Sequence, residues 1–150
     1  MRPVLQALVL ADRVYEDKPS GKKIIDGTFN RILLNRKVKL VENHPTDDTK
    51  KLIRAGGDIG SPYIYLSLTD LVPETDLTLQ FVNVSMNQVV LELPFKIKCD
   101  SRLATVELAI ALPPLTAFVN EPGTYSVDLL WNGEILGSQR VVAEDVPEKK

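Results

Sequence analysis

The sequence predicts an all-β protein, an antiparallel sandwich of two sheets. Three observations carry that expectation. Short runs of alternating apolar and polar residues recur along the chain at near-regular spacing. Gly, Pro, Asn and Ser collect between those runs, where turns need them. No long stretch carries apolar residues at the 3.6-residue period of an amphipathic helix. Together they predict eight to nine strands, with one long loop or short helix near 42–60.

Val4 to Ala11 is apolar on both parities, as in a central strand or one covered on two sides, and Val14-Tyr15 extends it. Pro19-Ser20-Gly21-Lys22 reads as a turn. Lys23 to Leu34 reads as the return strand, with Ile25, Phe29 and Leu33 on one parity and Gly27 marking a bulge or a close approach. Val38 to Val41 is a further short strand. Glu42 to Gly60 then breaks the rhythm with His44-Pro45, Asp47-Asp48, Lys50-Lys51, Arg54 and the glycines Gly56, Gly57 and Gly60. Its length marks it as functional, mobile or partly helical. Thr46 or Asp47 is placed to cap a short helix through Arg54, ended by Gly56.

The alternation resumes at Pro62. Ile64, Leu66 and Leu68 alternate with Tyr63, Tyr65, Ser67 and Thr69; Leu77, Leu79 and Phe81 alternate with Thr78 and Gln80. Val89 to Cys99 alternates with Pro94 on its polar side, which predicts an edge strand or a bulge at that residue. Val106, Leu108, Ile110 and Leu112 make another row, and Tyr125, Val127, Leu129 and Trp131 the next. Hydrophobic matching sets the hairpin registers. A three-residue loop Ser85-Met86-Asn87, with Asn87 left-handed, places Phe81 opposite Leu91 and Leu79 opposite Leu93. For the last hairpin a three-residue loop, Trp131 to Gly133, places Leu129 opposite Ile135 and Tyr125 opposite Gln139; a two-residue Asn132-Gly133 turn instead sets Tyr125 against Arg140. Residues 1–145 are expected to form one domain, with 146–150 a frayed charged tail.

A chain of 150 residues is long enough to bury a core, and a formal net charge of −2 gives no basic face for nucleic acid. Cys99 is the only cysteine, so the chain has no internal disulfide and no cysteine zinc site, which suits a cytoplasmic protein. No apolar run approaches the ~20 residues of a membrane span. Arg2 with Pro3 to Ala11 faintly imitates a secretory signal, but Gln6 interrupts it and a first strand explains the run.

The run Gly123-Thr124-Tyr125-Ser126-Val127-Asp128-Leu129 resembles the final strands of immunoglobulin-like bacterial sandwiches. Leu8-Val9-Leu10-Ala11-Asp12, Gly27-Thr28-Phe29-Asn30-Arg31-Ile32 and Ser61-Pro62-Tyr63-Ile64-Tyr65-Leu66-Ser67-Leu68 resemble an uncharacterised family of bacterial proteins of this size, over most of the chain. That resemblance implies a small immunoglobulin-like sandwich from a bacterium and brings no functional residue with it.

Candidate chemistry is sparse. His44 is the only histidine, and its partners for catalysis would be Asp47, Asp48 or Cys99; no nucleophile elbow accompanies them, and Cys99 falls on an inward parity. Asp12, Glu16 and Asp17, or Asp47, Asp48 and Asp58, lack the spacing of a calcium loop and have lysines beside them. The glycine cluster matches no phosphate-binding pattern. Tyr63 and Tyr65 would present two rings on one sheet face. The function expected is therefore a non-enzymatic protein-interaction or structural module. It would act through an edge strand, the Tyr63/Tyr65 face or the 42–60 loop, with His44, Asp47, Asp48 and Arg54 as further candidate contacts. The expected partner is another protein or a second copy, with no cofactor, metal, nucleic acid or membrane. The alternative is a sandwich that binds a carbohydrate or small ligand; a hydrolytic enzyme comes last.

Overall fold

The computed structural model describes residues 2–34 and 61–146. The expected strand at 38–41, the 42–60 segment and residues 147–150 lie outside the described residues. Nine strands are described: β1 (Val4–Glu16), β2 (Lys23–Thr28), β3 (Arg31–Leu34), β4 (Tyr63–Thr69), β5 (Glu74–Asn83), β6 (Gln88–Lys98), β7 (Val106–Ala111), β8 (Gly123–Trp131) and β9 (Glu134–Asp145).

They form two sheets, in the orders β2-β1-β4-β7 and β3-β9-β8-β5-β6. Alternation decides what each buries. Leu10, Ile64, Leu66 and Leu68 of the first sheet meet Leu79, Phe81, Val127, Leu129 and Val141 of the second, each no more than 1% exposed. β1, apolar on both parities, is a central strand, between β2 and β4. Gln6, which interrupts its apolar run, falls in a register shift between Leu5 and Ala7 and accepts a hydrogen bond from Ser67 Oγ at 3.2 Å.

Lys23 to Leu34 is two strands rather than the single return strand expected. β2 pairs with β1, whereas β3 crosses to the other sheet and runs parallel to β9. The handover takes two residues: the Phe29 amide donates to Leu10 O at 3.3 Å, and Asn30 O accepts from the Val142 amide at 2.9 Å. The crossing buries Ile32 and Leu34, which a continuous β2 would leave on an edge. Gly27 is a close approach to Asp12, not a bulge, since the β1–β2 register runs evenly past it.

The strand order is that of an immunoglobulin-like sandwich. β1, β4 and β7 stand in the places of strands A, B and E, and β9, β8, β5 and β6 in those of G, F, C and C′. Tyr125, at the start of β8, adds the tyrosine corner of that fold: its hydroxyl donates to Glu121 O at 2.9 Å. Val127 occupies the position where antibody domains carry their second cysteine.

Both hairpins show how register is reached. Phe81 faces Leu91 and Leu79 faces Leu93, and Asn87 is left-handed at φ 52°, as expected. The loop is longer than expected, however, because Val82 faces Val89 and a bulge at Val90 restores the register. Asn83 holds that turn through Oδ1, which accepts from the Met86 amide at 3.1 Å. In the last hairpin the expected three-residue loop is not found. Asn132 and Gly133 make a two-residue turn with both φ positive, and a bulge at Leu136 then shifts the pairing to set Tyr125 against Val141. That bulge turns Val141 and Ala143 into the core, whereas the two-residue turn without it would set Tyr125 against Arg140 and turn them outward.

Candidate functional site

Four strands end the described sheets, and three of them are guarded against further pairing. β2 carries Lys23 and Asp26 and bends at Gly27, where φ is +72°. β3 is four residues long. β6 carries Pro94, Lys96 and Lys98. Lysines, proline, bends and shortness are the devices that keep sheet edges from recruiting strands. Pro94 thus marks an edge, as expected, and pairs with Thr78 without a bulge of its own.

β7 has none of these devices. Its sequence, Val106-Glu107-Leu108-Ala109-Ile110-Ala111, holds one charge, and that carboxylate accepts a hydrogen bond from Tyr65 Oη. The direction of its free backbone groups follows from pairing. The Leu112 amide donates to Pro62 O at 2.9 Å, and Ile110–Ile64, Leu108–Leu66 and Val106–Leu68 continue that pairing at every second residue. The backbone of those residues therefore turns toward β4. The amides and carbonyls of Glu107, Ala109 and Ala111 turn toward the open edge.

The two faces beside this edge differ. On the outer face Tyr63 and Tyr65 stand half-buried on β4, with Ala11 and Ala111 flanking Tyr63 and Val9 and Ala109 flanking Tyr65. Burial first, then the Glu107 carboxylate that Tyr65 donates to, holds the Tyr65 phenol protonated above its ordinary range. On the inner face Val106, Leu108 and Ile110 are only half-buried, as are Leu93 and Phe95 of β6 across from them. Between the two edge strands lies a groove of about 430 Å³. In constant-type immunoglobulin domains a fourth strand, D, lies beside strand E. Among the described residues nothing occupies that place beside β7.

Among the described residues the other groups singled out from sequence do not converge. His44, Asp47, Asp48 and Arg54 lie outside the described residues. Asp17 accepts from Ser20 Oγ at 2.5 Å and Glu16 faces Lys23 at 4.0 Å, and among the described residues no cluster of His, Cys, Asp and Glu has the grouping to hold a metal. Cys99 lies just past β6, packed against the core, where its thiol donates to Ser101 O at 3.0 Å. Among the described residues no helix is long and apolar enough to cross a membrane. One polar cluster escaped sequence reasoning: Ser126 and Ser138 each donate to Asp128 Oδ1 at 2.6 Å. It links β8 to β9, with Ser126 and Asp128 buried and Ser138 exposed, so it ties strands together. A second hollow, near the β8–β9 turn, contains Lys96 already placed between Glu74 and Asp76 at 3.8 Å.

The fold and this edge define an immunoglobulin-like β-sandwich with, among the described residues, one unguarded edge strand. No protein-family model matches the chain, and no curated protein matches it. Among solved structures it is similar to an immunoglobulin-like protein from Pseudomonas aeruginosa, with a TM-score of 0.46 and 11% sequence identity over 96% of this chain and 98% of that one.

Proposed function

We propose that this protein is a non-enzymatic interaction module that binds an extended segment of another protein by adding it as a strand beside β7. The observation that carries this reading is the contrast among edges. Three described edges bear proline, lysine, a bend or shortness, whereas on β7 the amides and carbonyls of Glu107, Ala109 and Ala111 have no strand beside them among the described residues. Main-chain pairing along such an edge supplies affinity, and alternate side chains supply selectivity. The groove between β6 and β7 would take the inward side chains of the guest.

Selection from a displayed random peptide library tests this. Peptides with alternating apolar residues should emerge, and Ala109→Pro should lose them, because proline removes an amide that faces the open edge and none that β4 uses. Selected peptides that bind Ala109→Pro equally well would overturn the reading.

A second reading rests on Tyr63 and Tyr65, whose rings stand among alanines on the outer face and suit stacking on a sugar. Glycan-array binding lost in Tyr63→Ala and Tyr65→Ala would favour it, and silence on a broad array would remove it.

A further inference from the structure

We infer that the guest of the β7 edge is an acidic-ended extended segment, antiparallel to β7, with its carboxylates at the Val106 end; this rests on the strand-addition reading above. The charge around the groove carries the inference. Its lining is apolar apart from Lys96 and Lys98, and it contains no carboxylate. The two lysines are not equivalent. Glu74 lies directly across the ladder from Lys98, yet its carboxylate reaches Lys96 instead, at 3.8 Å, where Asp76 joins it. Among the described residues Lys98 makes no ion pair, so this end of the rim carries a lysine that no carboxylate has claimed.

Topology then fixes which end of a guest meets it. β6 finishes at Lys98, and only residues 99–105 connect it to the start of β7 at Val106. The free lysine therefore stands beside the N-terminal end of β7. Every described partner of β4 is antiparallel, β7 included, and an antiparallel guest continues that sheet with the better hydrogen-bond geometry. Such a guest runs out past Val106, so residues C-terminal to its apolar run meet Lys98. Three alternate positions of the guest would face Val106, Leu108 and Ile110. They call for apolar side chains there.

The probe is a short labelled peptide of alternating valine and threonine that ends in aspartates, compared by fluorescence anisotropy with the same peptide ending in lysines. The full chain should bind the aspartate peptide more tightly. Lys98→Glu should weaken it about threefold, the size an exposed ion pair supports, and should tighten the lysine peptide. The difference should grow as salt is lowered. Ala109→Pro should abolish both. Equal binding of the two peptides, unmoved by Lys98→Glu but lost in Ala109→Pro, would overturn the acidic guest and leave strand addition standing. Binding of neither peptide would overturn both proposals. So would dodecanoate occupying the groove in place of peptide, or a dimer of this chain that Ala109→Pro dissolves while no peptide binds.

Discussion

The rings of Phe81 and Phe118 meet edge to face, with centroids 4.8 Å apart and planes at 62°. Phe81 lies on β5, but Phe118 belongs to no strand; it follows a short 3-10 turn, Leu115–Ala117, in the connection from β7 to β8. That connection is part of the core, since Leu115, Phe118 and Val119 are all buried. Phe118→Ala should cost about 3 kcal/mol, as a large buried ring removed from a packed interior does. Urea unfolding should show a lower midpoint with an unchanged slope.

The tyrosine corner should matter despite a single lost oxygen. Tyr125→Phe leaves Glu121 O and Asn83 Nδ2 without the hydroxyl they share, at 2.9 and 3.5 Å. The expected loss is about 1–2 kcal/mol, because the Asn83 side chain is buried. A loss near zero would mean that water replaces the hydroxyl.

Alkaline pH should destabilise the fold through two phenols. Burial is the leading cause that raises both Tyr65 and Tyr125 above the ordinary value of about 10. Their neutral forms are thus favoured in the folded state. The stability they contribute is complete below about pH 10 and is lost as pH rises through the raised folded-state values. Unfolding midpoints compared at about pH 8 and about pH 11 should fall less in Tyr65→Phe and Tyr125→Phe than in the wild type.

Two glycines of equal φ should respond differently to alanine. Gly21 and Gly27 both have φ of +72°, but a β-carbon at Gly21 meets nothing within 4 Å, whereas one at Gly27 would stand 2.4 Å from Asp12 Oδ2. Gly21→Ala should cost about 1 kcal/mol for the left-handed backbone. Gly27→Ala should cost more, as thermal unfolding of the pair would show.

Proline should distinguish neighbouring residues on β7. Ala109→Pro removes an edge-facing amide and should leave the melting temperature within about 2 °C of the wild type. Leu108→Pro removes an amide that pairs with β4 and should cost about 3 kcal/mol or more. Equal effects would refute the assignment of hydrogen-bonding parity.

Much of the architecture is legible in the residue order. Ile64, Leu66 and Leu68 announce their inward parity because alternation is a local property of an extended backbone, and every strand expected between Pro62 and Val142 is found. Tyr63 and Tyr65 could be placed on one face for the same reason. Pro94 announced β6 as an edge, but residue order did not disclose that β7 is one too. Val106 to Ala111 reads like any half-buried strand, and its open side exists only because β4 takes one side and nothing described takes the other.

Nearest-neighbour patterning thus settled the all-β class, the strands and their buried faces. The division of Lys23 to Leu34 between two sheets, the bulges at Val90 and Leu136, the seat of Phe118 and the exposure of β7 were settled by contacts between distant parts of the chain. The cause is physical. A strand's faces are set by the geometry of its own backbone, whereas its register and neighbours depend on which partner lets the whole interior close with every buried polar group paired.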